Sequence, residues 1–136
     1  MHVLRQVHRA LRTKGLVLDV HPLGADVPIR AGELGLGFVD TRKFSRIVEA
    51  MDECVRLVLS EGLFEEVRTL RRHVAERFDN ASEVLEEAEN WENLRLPAVV
   101  RRRLRATDAT PVELIDTVLY KLLRKPAVAR SRRCLR

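Results

Sequence analysis

The chain has 136 residues, 46% of them hydrophobic and 33% charged; this is enough apolar material for one ordinary domain with a sizeable core, too short for two, and too apolar for general disorder. The formal charge of +5 is uneven: residues 101–136 hold eleven Lys and Arg against three Asp and Glu, a net of +8, so the first hundred residues stand at −3. No apolar run approaches the roughly 20 residues needed to cross a bilayer, and Met1 is not followed by a basic-then-apolar leader, so no membrane partner is expected and the cytoplasm is the expected compartment.

Val3, Leu4, Val7 and Leu11 recur at helical spacing and predict a short amphipathic helix over residues 2–12. Lys14-Gly15 ends it, with Gly15 best suited to a left-handed turn at the helix C-terminus. "LVLDV", 16–20, is an almost unbroken branched apolar run, the pattern of a strand buried on both faces in the middle of a parallel sheet. Pro22 and Gly24 close it. "VPIR", 27–30, and "LGLGFVD", 34–40, predict a small hairpin around Ala31-Gly32-Glu33. Asp40 or Thr41 then caps a long helix whose stripe runs through Phe44, Ile47, Val48, Met51, Val55 and Val58 up to Gly62.

Residues 63–79 fit two patterns. Leu63, Val67, Leu70, Val74 and Phe78 have helical spacing, yet Leu70, Val74 and Phe78 also share one face of an alternating strand. Asp79 or Asn80 begins a helix through Trp91, and Pro97 opens a basic helix ending near Arg105. Thr110-Pro111-Val112-Glu113 reads as a capping box with proline at the first helical position, leading a helix that buries Val112, Ile115, Val118, Leu119 and Leu122. A basic, loose tail over 126–136 completes the chain.

His21 is the titratable residue of most interest. It follows a buried strand, and ligands of open α/β sheets gather beyond the carboxyl ends of strands. Asp19, two residues earlier, lies on the same side. Together they are the candidate substrate-side residues, although His21 can equally satisfy loop carbonyls ahead of Pro22. Gly32, Gly35 and Gly37 are spaced GxxGxG with Phe38 and Val39 following; a phosphate loop needs the helix to open directly from the glycines, so ordinary turns are expected. Trp91 is read as a core residue. Cys54 and Cys134 belong to no CxxC or Cys/His array, so they are a core thiol and a tail thiol, and no metal site is expected.

Taken together, "VLRQVHRALRTKGLVLDVHPLG", "LGFVDTRKF", the helix through Met51, "EGLFEEV" and "ERFDNASEVLEEAENW" resemble the C-terminal half of a class I S-adenosylmethionine-dependent methyltransferase of bacterial, actinobacterial type. "LRTKGLVLD" is similar to that family's "LrpGGxLxLxD" helix-to-fifth-strand turn, with Thr13 and Lys14 in place of Pro-Gly. The resemblance spans about residues 2–125. It implies an α/β fold, a partial Rossmann-like methyltransferase sheet with a helix-rich C-terminal cap, and it tips 63–78 towards an antiparallel strand. The family's cofactor half is not in this sequence, which has no strand entering a DxGxGxG turn and no acidic residue ending a second strand.

The resemblance therefore implies a segment that is inactive alone. It holds no cofactor unless a missing half supplies the S-adenosylmethionine site, and its partner is that companion half or a second copy in a homodimer. Asp19 and His21 would then face substrate. The competing expectation is a standalone helical module that binds nucleic acid or protein through the basic helix at 97–105 and the tail.

Overall fold

The computed structural model describes residues 2–127, in the order α1 (His2–Ala10), β1 (Leu16–Pro22), β2 (Pro28–Ala31), β3 (Leu34–Phe38), α2 (Arg42–Ser60), β4 (Glu65–Phe78), α3 (Ala81–Glu89), α4 (Ala98–Ala106) and β5 (Val112–Arg124). Among them no helix is long and apolar enough to cross a membrane. The five strands form an antiparallel sheet in a mixed α/β chain.

The hub of the sheet is β5, which pairs with β1, β2 and β4. At its start Leu114 lies opposite Ile29, and Val112 opposite Ala31. At its end Lys125 donates its backbone N–H to the Gly15 carbonyl (2.9 Å) and accepts from Lys14 (3.1 Å). β5 has 13 residues, of which the pairing with β2 takes up Val112–Leu114.

This overturns the helix expected after Thr110. Apolar residues stand at both odd and even positions of 112–123, which satisfies a helical stripe and a strand covered on both faces equally well. The β-branched Val112, Ile115, Thr117 and Val118 favour the strand, and pairing on both edges fixes it.

The opposite correction applies to β1. It is a strand, but its burial alternates, with Leu16 56%, Leu18 59% and Val20 46% exposed. It is neither covered on both faces nor flanked by parallel neighbours; its partner among the described strands is β5. Lys14, not Gly15, takes the left-handed turn (φ 61°). Gly15 is required for space, since a Cβ there would lie 2.8 Å from the Arg12 carbonyl oxygen and 2.9 Å from Leu11 Cδ2. The ambiguous 63–79 stretch is strand β4.

The described chain divides into two units. One comprises residues 2–20, 50–70 and 119–127; the other comprises 21–49 and 71–118. The first packs Val55 and Val58 of α2, Phe64 and Leu123 into a small core, with Leu4, Val7 and Leu11 of α1 and Val17 of β1 against it. Lys125 Nζ donates to the His8 and Leu11 carbonyls (2.7 and 2.8 Å), so a cation closes the C-terminal end of α1, where carbonyls lack helical partners.

The second unit has the larger core, built on Ile29, Ala31, Val84, Val100, Leu104 and Val112, each at most 2% exposed. The expected hairpin is present as β2–β3, and Gly32 makes its turn (φ 55°). Gly37 lets α4 approach, because a Cβ on it would meet Val100 Cγ2 at 2.8 Å. The glycines thus serve turns and packing. Asn80 caps α3, accepting from the Glu83 N–H, while Glu83 accepts from the Asp79 N–H.

Candidate functional site

The second unit contains a cleft of about 320 Å³, at the small end of the range for ligand pockets. Pro22, the last residue of β1, is on its rim. Val74 and Glu76 come from β4, and Leu114, Asp116 and Val118 from β5. Alternate residues of a strand project from one face, so each strand presents a carboxylate among aliphatic neighbours. Phe44 of α2 and Trp91 and Leu94 beyond α3 supply the aromatic and apolar remainder.

The turn after β1 fixes the rim. Leu23 donates its N–H to the Thr117 carbonyl (2.8 Å), Gly24 donates its N–H to Asp116 Oδ1 (3.3 Å), and Ser45 Oγ donates to the Gly24 carbonyl (3.3 Å). Asp116 Oδ1 also accepts from the Thr117 N–H (2.6 Å). Burial pushes the Asp116 carboxyl upward, and the two backbone donors hold it back. Gly24 has φ 60° and its face is pressed against Phe44.

Asp19 and His21 occupy alternate positions of β1, with Asp19 half-buried and His21 5% exposed. Neither is in the wall of the cleft. The end of β1 borders this cavity at Pro22, and the acidic groups in its wall come from β4 and β5. A helix over 112–122 gives Asp116 no distinguishing place; on strand β5 it is a lone carboxylate between Leu114 and Val118 on one face. His73 lies outside the wall and its Nδ1 is 3.2 Å from Thr117 Oγ1. Trp91 is half-buried against the core, as expected, and also lines the cleft. Cys54 is half-buried on α2, and Cys134 lies outside the described residues.

Elsewhere in this unit, Arg42 Nε and Nη2 grip Asp40 as a fork (2.9 and 2.6 Å) beside Lys43, Arg46 and Arg95. The fork holds the Asp40 carboxyl down at about 2 against an ordinary 3.8. Because the folded value is the lower one, the pair stabilises the fold fully above pH 3.8 and ceases to do so as the pH falls through about 2. Asp40→Asn is therefore expected to flatten the acid limb of the unfolding midpoint across that window, as followed by thermal melts at stepped pH. An unchanged limb would show that solvent around Arg42 already screens the pair.

The basic helix α4 is partly committed to its own fold. Arg101 Nε donates to the Leu96 carbonyl (3.3 Å) and Arg103 Nη1 to the Leu36 carbonyl (3.1 Å). Arg102 and Arg105 are exposed. Residues 128–136 of the basic tail lie outside the described residues. Among the described residues no group of three or more His, Cys, Asp or Glu is placed to hold a metal ion. No family model, curated protein or solved structure matches this chain.

Proposed function

We propose that this chain is the substrate-side half of a methyltransferase-like domain with a partial Rossmann-like sheet, completed along β1 by a second polypeptide. The observation that carries the reading is the face of β1: Leu16, Leu18 and Val20 are each about half exposed in succession on a strand at the end of the sheet path. Exposed apolar ribbons with unpaired backbone edges are sites of strand addition and association. The run α1, β1, α2 and antiparallel β4, with the β2–β3 hairpin inserted between β1 and α2, supports the reading, as does a cleft at the carboxyl end of β1, where α/β sheets place their ligands. In this reading S-adenosylmethionine is held by a glycine-rich turn of the companion, which supplies the methyl group, and the present chain binds and orients the acceptor.

Sedimentation of the purified chain tests this. The wild type is expected to associate with rising concentration, and Leu18→Glu to remain a folded monomer, since a residue 59% exposed costs the monomer little. The adjacent upstream reading frame is expected to encode a strand entering a glycine-rich turn, and co-expression to give an equimolar complex that takes up the cofactor. Stoichiometric uptake of S-adenosylmethionine by the isolated monomer would sink the proposal. So would a wild type that stays monomeric at about 1 mM, above the weakest specific affinities.

A further inference from the structure

We infer that the cleft bordered by Asp116 and Glu76 binds a small organic cation, an amine or ammonium group carried on an apolar, preferably aromatic, body. The inference deepens the substrate-side reading and rests on it for the role of the ligand, while its test measures binding by the chain alone.

The wall carries two carboxylates and no Lys or Arg, so its charge suits a cation and repels an anion. Both backbone donors to Asp116 bond Oδ1, those of Gly24 and Thr117; a carboxylate has about four acceptor sites, and Oδ2 accepts from no described residue. Burial already opposes the Asp116 charge, and an incoming N–H⁺ donor restores what desolvation removed. Glu76 is exposed and makes no ion pair with the described residues. Trp91 and Phe44 stand in the same wall. An indole face attracts a cation more strongly than any other side-chain ring, and both rings suit an aromatic body.

Trp91 is the single tryptophan, so its emission reports occupancy directly. Titrations with 2-phenylethylamine, 2-phenylethanol and 3-phenylpropionate compare cation, neutral and anion on one skeleton. The amine is expected to bind saturably and about tenfold more tightly than the alcohol, equivalent to about 1.4 kcal/mol, with the carboxylate failing to bind. Glu76→Gln, a change at an exposed strand position, is expected to weaken the amine about threefold without moving the unfolding midpoint. Asp116→Asn is expected to abolish the preference for amine over alcohol.

Equal affinity for amine and alcohol would overturn the inference and leave an apolar pocket only. So would an amine affinity unchanged by Glu76→Gln, even if Asp116→Asn fails to fold, or no saturable response below about 1 mM. None of these results bears on association through β1, so the two proposals can fail separately.

Discussion

Replacing Gly24 with alanine is expected to lower the unfolding free energy by about 2–5 kcal/mol, the sum of a left-handed backbone penalty and the overpacking of a methyl group. Gly24 has φ 60°, and a Cβ there would collide with Phe44 Cδ1 and fall 2.7 Å from Cε1. Its backbone is held by Asp116 on one side and by Ser45 on the other, so the turn cannot simply move away. Two other glycines separate the contributions. Gly62 has φ 72° with nothing within 4 Å of an added Cβ, so Gly62→Ala isolates the backbone cost of about 1–2 kcal/mol. Gly35 also has nothing within 4 Å and no positive φ, so Gly35→Ala is expected within about 0.5 kcal/mol of wild type. Denaturant unfolding of the three variants reads the series. If Gly24→Ala loses no more than Gly62→Ala, Phe44 swings aside at no cost and the rim of the cleft is softer than its hydrogen bonds suggest.

That rim also shows how much of the fold the sequence announces. Elements with a strict period and a local stop signal were legible: α1, the β2–β3 hairpin around Gly32, the long α2, and α3 behind its Asn80 cap all follow from spacing and turn chemistry. The strand character of 63–79 was legible only as one of two patterns, and the resemblance tips 63–78 towards it without deciding between them. What failed was β5. Its apolar residues fill both parities because both faces of β5 are covered, with no exposed residue before Arg124, and the proline ahead of it mimics a helix start. Burial by distant strands is a property of the assembled sheet, and no window of a dozen residues contains it.

The same error displaced the candidate site. The helix expected over 112–122 gives Asp116 no role, and Asp19 and His21 at the end of β1 are the candidates that remain. In the sheet, Asp116 stands between Leu114 and Val118, and the groups that can meet a ligand come from strands that the sequence does not bring close to His21. Asp19 and His21 lie on β1, outside the wall of the cleft.

Phe64→Ala is expected to cost about 3–5 kcal/mol, the usual penalty for truncating a buried phenylalanine. Phe64 is 2% exposed and is the largest side chain in a core whose other fully buried members are Val55, Val58 and Leu123. Leu4, Val7, Leu11 and Val17 pack around this cluster, and the size of the loss follows from how far they close into the void. The ring also packs edge-on against His8, with centroids 5.4 Å apart at 86°. Burial, and then the charge of Lys125, hold the His8 imidazole below its ordinary 6.5. The folded state therefore resists protonation: the neutral ring's contribution is intact above pH 6.5 and is lost as the pH falls through the lower folded value. Removing the phenyl ring admits water to His8, so its titration, followed by the imidazole proton resonances, is expected to move upward in Phe64→Ala while Lys125 keeps it from full recovery. Phe64→Leu, which refills most of the space, should regain much of the stability and leave His8 closer to its native value. If Phe64→Ala unfolds at the wild-type denaturant midpoint with His8 unmoved, the packing of α1 against this core rests on Lys125 and the helix carbonyls instead.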